Sequence, residues 1–258
     1  IEQVVTGMHK LGFHQVVEAA LGADITLYHE AEEWKEQGIL TTSCCPSFVM
    51  FVEKNFPELA KYVSHSVSPM VEAAMLIKRT DPTGKVIFIG PCASKKLEYK
   101  LPKTQGAIDS VLSFEELQAF FDARDVDVAS LEDTALDNAS FYGRIFAKSG
   151  GIAQGIAEVA KEMGVEGVKP LAMNGIDECR AALMKLKFNR ATENFFEGMA
   201  CDGGCLNGPL CLTHGPKNAI DVDKYGAQAK EKTIGNSVKL YKLSLGEAAD
   251  DAPEKKEN

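Results

Sequence analysis

Five of the chain's 7 cysteines fall in three short motifs. These are Thr42-Ser43-Cys44-Cys45-Pro46, Gly90-Pro91-Cys92-Ala93-Ser94-Lys95-Lys96 and Met199-Ala200-Cys201-Asp202-Gly203-Gly204-Cys205. Thiolates are soft ligands suited to iron–sulfur clusters, zinc or cuprous ions. A structural zinc site usually draws on two close pairs. Here there is one close pair, Cys201 and Cys205, so zinc is the weaker reading. A cubane needs four thiolates, and glycines between two of them let the backbone come close to a bulky cluster. Side chains at i and i+1 diverge, so one of Cys44 and Cys45 is expected to be a ligand and the other something else. Cys179 sits in a helical pattern among Ile176, Ala182 and Leu183 and reads as core, and Cys211 reads as an auxiliary ligand at most.

The elements that must hold these motifs follow from periodicity. Val4, Val5, Met8, Leu11 and Val16 predict a first helix from Gln3 to about Ala20, weakened by Gly7 and Gly12. A second is expected from Thr26 to Gln37, stopped at Gly38. Ile39 to Thr42 reads as a short strand running into the paired cysteines, and Pro46 suits the first turn of the next helix. Val86 to Ile89 is an apolar strand leading into Cys92. Further strands are expected at Ala107 to Leu112, Gly167 to Ala172 and Phe195 to Ala200, with helices at Phe114 to Ala123, Gly151 to Glu162 and Asp177 to Leu186. Strands alternating with helices indicate an α/β fold with largely parallel sheets, in which ligands gather beyond the C-terminal strand ends. All three cysteine motifs fall there. The charged stretch Glu247 to Asn258 reads as a disordered tail.

A chain of 258 residues, 45% hydrophobic, can bury a core without disulfide staples, so stability alone does not explain the cysteines. A net charge of −9 argues against general binding to nucleic acid or acidic membranes, which need basic surface. No apolar run reaches the ~20 residues of a membrane helix, and the N-terminus lacks a signal-peptide pattern. The expectation is a cytoplasmic protein whose cysteines are thiols, metal ligands or catalytic groups.

Together the three motifs, continued as Leu97-Glu98 after the second and flanked by Glu197-Gly198 and Leu206-Asn207-Gly208 at the third, resemble in order and separation those of the iron-only (FeFe) hydrogenase catalytic domain. The likeness runs from about Thr6 to Gly208. It implies two lobes built on small parallel sheets, with the cluster in the cleft between them, over residues 1–246. The N-terminal part would then be missing or minimal. It also implies a four-iron cubane held by Cys45, Cys92, Cys201 and Cys205, with Cys205 bridging to a two-iron subsite. That subsite would carry carbon monoxide, cyanide and a bridging dithiolate amine, installed by dedicated maturation proteins. Lys95 matches the lysine that hydrogen-bonds a cyanide ligand, and Met199, Pro91 and Ser68 border the cofactor by position.

The implied activity is reversible interconversion of protons plus electrons and dihydrogen, with a ferredoxin or another iron–sulfur carrier as electron partner. Buried proton chemistry needs a relay of titratable groups. Cys44 matches the thiol that exchanges a proton with the bridging amine. Glu30 and Glu33, at i and i+3, share a helix face, and Ser64 falls at the relay hydroxyl, giving an expected route Glu30, Ser64, Glu33, Cys44. The alternative is a hydrogenase-like protein of iron–sulfur assembly, or a redox or hydrogen sensor with little turnover. Assembly-type relatives lack the cysteine at position 44. Gly90 and Phe48 stand where a methionine and a tryptophan are usual, Met70 stands for a glutamine, and Pro209 interrupts a glycine run.

Overall fold

A computed structural model describes residues 1–104 and 106–244, so the expected tail from Glu247 lies outside the described residues. The elements run α1 (Glu2–Lys10), α2 (Ala19–Gln37), β1 (Leu40–Thr41), α3 (Pro46–Asn55), α4 (Pro69–Thr80), β2 (Ile87–Ile89), α5 (Lys95–Glu98), β3 (Ser110–Leu112) and α6 (Phe114–Ala123). Then come α7 (Phe141–Ile145), α8 (Gly151–Glu162), β4 (Pro170–Asn174), α9 (Gly175–Lys187), β5 (Phe195–Met199), α10 (Lys217–Ala227) and α11 (Ile234–Ser244). One correction concerns the N-terminus. The expected first helix to Ala20 stops at Lys10, because Gly12 turns the chain at φ +98°, and α2 begins at Ala19 rather than Thr26.

The strands form two parallel sheets, a three-stranded one in the order β1-β5-β4 and a two-stranded one pairing β2 with β3. This is the expected α/β architecture. Neighbouring strand residues point to opposite faces, and β5 uses this directly. Phe195 enters a core with Leu27, Leu40, Ile152 and Ile156 of α2, β1 and α8, while Phe196 enters another with Phe48, Val52, Met173 and Leu183 of α3, β4 and α9. Both rings are fully buried, which is worth about 1.5–3 kcal/mol each. A third cluster, Met70, Val71, Ala74, Val86 and Val111, packs α4 against the β2-β3 sheet.

Local chemistry sets several boundaries. Gly38 closes α2 in the left-handed region at φ +74°. Ser113 and Glu116 form a reciprocal capping box that starts α6 at its expected residue. Asp24 of α2 accepts from the Ser140 amide (2.8 Å) and from the hydroxyls of Ser140 and Ser237 (2.6 Å each), fixing α2 to α7 and α11. At the start of α2, Glu18 takes a two-pronged bond from Arg144, which also pairs with Asp137 and lies over the Tyr225 ring. α2, fixed in this way, carries Glu30 and Glu33.

Candidate metal centre

The three cysteine motifs follow β1, β2 and β5, so loops from both sheets deliver them. Cys205 feels the charges of Cys45, Cys92 and Cys201, and Cys201 feels those of Cys45 and Cys92, so these thiols lie within electrostatic range of one another. Among the described residues no three His, Cys, Asp or Glu side chains converge on a single-ion position. A cubane instead takes its thiolates at separate corners. Burial, reinforced by the neighbouring thiols, pushes Cys205 up to about 12 and Cys201 above the usual thiol range. Metal-free, both hold protons that a metal must displace.

The glycines of the C-x3-C loop have a mechanical reason. A Cβ on Gly204 would lie 2.6 Å from Met199 Sδ and 2.7 Å from Ala147 O. The loop is pinned by Cys205 N donating to Ala147 O (2.8 Å), Ser149 N donating to Gly203 O (3.4 Å) and Gly203 N donating to Asn174 Oδ1 (2.5 Å). Pro91 O accepts from Leu210 N (3.1 Å), which ties the Cys92 loop to the segment after Cys205.

The adjacent cysteines lie in different surroundings. Cys45 caps α3 and is partly buried, whereas Cys44 is 8% exposed and joins the core around Leu40 and Phe195. Burial raises the Cys44 thiol well above its ordinary value, the nearby Glu30 and Cys45 raise it further, and Lys95 acts against them. Lys95 is itself buried and donates to Cys44 O (2.9 Å) and Glu98 Oε2 (2.5 Å). Glu98, 1% exposed, is a missed residue. Its place at i+3 from Lys95, inside the second motif, was the available signal.

The structure sets Glu33 outside Glu30, the reverse of the expected route Glu30, Ser64, Glu33, Cys44. Glu33 is the outer carboxylate: Ser64 Oγ donates to its Oε2 (2.6 Å) and Gln37 Nε2 to its Oε1 (2.9 Å). Glu30 is the inner one, fully buried, accepting from Ser43 N (3.3 Å) and close enough to Cys44 to act on its charge. The geometry therefore puts Glu33, bonded to Ser64, on the outside and Glu30 on the inside towards Cys44. The cause is depth: one helical turn along α2 moves the side chain from the rim to beneath the Ser43 loop. Glu30 Oε2 and Ser68 Oγ are enclosed without a hydrogen-bond partner among the described residues.

Two departures from the family pattern have packing explanations. A Cβ at Gly90 would lie 2.6 Å from the Phe88 ring, so this ring occupies the space a longer side chain there would need. Phe48 lies against Gly198, where an added Cβ would meet its ring at 2.3 Å. Sequence reasoning also missed Glu197. This fully buried carboxylate of β5 accepts from Gly150 N (2.7 Å) and Ala153 N (2.8 Å) at the start of α8.

Burial raises the carboxyls of Asp24 to about 6, Glu197 to about 7 and Glu30 to about 8, against ordinary values of 3.8 for Asp and 4.5 for Glu. Between those limits the folded protein keeps protons that the unfolded chain releases, so the contribution of these three groups to stability is full below about pH 4 to 5 and is lost as pH rises to about 8. Calorimetry of the metal-free protein should give a Tm roughly 5 to 10 °C lower at pH 8.5 than at pH 5, with Glu30→Gln flattening the upper end. A Tm that rises over this range would refute the assignment.

Cys179 is fully buried, with Sγ 3.6 Å from Met199 O and its thiol raised by burial to about 12. This fits its expected core role. Cys179→Ser should retain full iron content, measured against protein, because a hydroxyl can bond the same carbonyl.

Residues 1–209 match the model of the family described as "Iron only hydrogenase large subunit, C-terminal domain". The chain is 28% identical to Iron hydrogenase 1 of Clostridium pasteurianum, over 95% of its own length and 53% of that protein. It is also 33% identical to the Cytosolic Fe-S cluster assembly factor NAR1 of Kluyveromyces lactis, over 37% of its length and 20% of that protein. A variant of [FeFe]-hydrogenase HydA1 from Chlamydomonas reinhardtii superposes with a TM-score of 0.74 at 20% identity, covering 95% of this chain and 84% of that one, a likeness of fold. The chain spans about half the length of the first hydrogenase it matches.

Proposed function

The chain belongs to the family formed by the C-terminal domain of the iron-only hydrogenase large subunit, and on that premise we propose that it interconverts protons plus electrons and dihydrogen at a cubane joined to a two-iron subsite. The observation that carries this reading is the buried Cys44 thiol, within electrostatic range of Glu30, with Lys95 bonded to its backbone carbonyl and Ser64 bonded to Glu33 at the rim. A protein that only held or delivered a cluster would have no use for a proton path ending at a non-ligand thiol.

The residues fit the cofactor by the chemistry of their donors. Soft thiols from three loops, a buried ammonium and an enclosed hydroxyl without a partner suit an anionic iron–sulfur group. Cys45, Cys92, Cys201 and Cys205 would hold it, and when bound it supplies the redox centre where protons and electrons meet. Glu98 and Cys44 O take two of the three ammonium donors of Lys95, leaving one for an anionic ligand of the group. Met199 is buried beside the C-x3-C loop and Pro91 O is bonded to the segment after it, and by the resemblance Ser68 would join this surround. Cys44 gives or takes the proton at its Sγ, Glu30 restores it, and Ser64 with Glu33 carries the exchange outward. The surrounding apolar side chains of Leu40, Phe195 and Met199 keep bulk water from short-circuiting this route.

Electrons would come from a ferredoxin or similar iron–sulfur carrier, and maturation proteins would install the subsite. No helix among the described residues is long and apolar enough to cross a membrane; the proposed setting is the cytoplasm.

The likeness to NAR1 assembly factors favours a second reading, cluster handling without hydrogen turnover. The deciding experiment is anaerobic reconstitution with a cubane and a synthetic two-iron subsite, followed by hydrogen assay and infrared spectroscopy. Hydrogen turnover with bands of metal-bound carbon monoxide and cyanide supports the proposal. Bands without turnover identify a sensor, and refusal of the subsite identifies the assembly role.

A further inference from the structure

Glu33 is the outermost carboxylate of the relay, and one neighbour on its solvent side belongs to no expected part of the path. His65 Nδ1 lies 2.5 Å from Glu33 Oε1, while the His65 amide donates to both carboxylate oxygens at 3.0 and 3.1 Å. The imidazole is otherwise in water, with 83% of its side chain exposed against 14% for Glu33. A carboxylate accepts, so the facing Nδ1 carries the hydrogen and Nε2 is left bare to solvent. Ser64, the preceding residue, donates from its Oγ to Glu33 Oε2 (2.6 Å). Two successive residues of one loop therefore grip the same carboxylate, one from outside and one from inside.

We propose that His65 is the proton-entry residue of this path, taking protons from water at Nε2 and handing them to Glu33 from Nδ1. This rests on the hydrogenase reading above and adds a residue to it.

The transfer balances. A proton from water or a buffer acid adds at Nε2, giving the imidazolium. The Nδ1 proton then moves to Glu33 Oε1, leaving the neutral ring in its Nε2–H form, and exchange with water restores the first tautomer. In hydrogen oxidation the same steps run backward. The charged groups facing the imidazole are Glu33, in contact, and behind it Glu30, whose charge reaches Glu33. Gln37, the other side chain on Oε1, is neutral and cannot carry a proton. Of the two side chains bonded to that oxygen, only His65 can relay.

The competing explanation is that His65 merely braces Glu33. His65→Gln separates the two, since an amide can donate to Glu33 but cannot pass a proton through. In weak buffer, His65→Ala and His65→Gln should both lower turnover of the reconstituted enzyme by about tenfold. Added imidazole should restore turnover in His65→Ala and leave wild type unchanged. Independently of the cluster, nitrogen NMR of the metal-free protein should find the Nδ1–H tautomer at His65, lost in Glu33→Gln. Wild-type-like turnover in either His65 variant overturns the proposal, as does failure of imidazole rescue or an Nε2–H tautomer in the metal-free protein. Absence of turnover in the loaded wild type defeats the hydrogenase reading and this role with it, whereas wild-type turnover that survives loss of His65 defeats the proposal alone.

Discussion

Cys44→Ala should cost the reconstituted enzyme at least about a hundredfold in hydrogen turnover while leaving the iron content of the cubane unchanged. The reasoning is positional. Cys44 sits in the apolar core beside Leu40 and Phe195, whereas Cys45 is the residue whose charge reaches Cys201 and Cys205 together. On the proposed reading, removing the first thiol deletes a proton donor, and alanine fits the apolar surround with the loss of one sulfur. On the same reading, removing the second deletes a ligand. Cys45→Ala should therefore lose iron, and the pair of variants, read by iron analysis and hydrogen assay, checks the division of labour. Iron loss in Cys44→Ala would mean the two roles had been exchanged.

The second large effect concerns the inner glutamate. Glu30→Gln should lower turnover by about a hundredfold, and Glu33→Gln by less, because the outer carboxylate lies at the partly exposed rim while the inner one is fully buried. Glu30 is fully buried with one oxygen unpartnered, and its carboxyl is raised by burial to about 8. A group with such a value both gives and accepts protons near neutrality, the property a relay needs. The same substitution removes a buried ionisable group, so the variant should be more resistant to heat than wild type above pH 8, where the native glutamate is forced to ionise in an apolar setting. Lower activity together with higher alkaline stability separates loss of a proton carrier from general damage. Equal activities for the two glutamine variants would contradict the corrected order.

Much of this site is legible in the sequence. The cysteine motifs fall at strand ends because apolar runs such as Val86 to Ile89 and Phe195 to Met199 mark strands by composition, and parallel strands deliver their following loops to one region. α6 and α8 keep their expected limits, the first because Ser113 and Glu116 are a local capping signal. The errors have tertiary causes. α2 extends back to Ala19 through a stretch that lacks helical periodicity, since both of its sides are packed. A Cβ at Gly22 would come within 2.0 Å of Pro69 O on α4, a crossing that no spacing rule reveals. The order of Glu30 and Glu33 is hidden for a related reason. A separation of three residues says that two side chains share a helix face and says nothing of which end of that face lies under another loop. Glu98 and Glu197 escape notice because an isolated carboxylate in a strand or short helix reads as solvated until its partners are known.

The pinning of the C-x3-C loop has a thermodynamic consequence. Ala147, Ser149 and Asn174 hold it by bonds from the protein's own backbone and side chains, and β5 is anchored just upstream by Glu197 on the α8 terminus. Chain ordering is the chief entropic cost of building a binding site from a flexible loop. Here that ordering accompanies folding itself. Cluster capture then draws on an entropy already spent, and its selectivity rests on thiol spacing rather than on a loop closing around whichever metal arrives first.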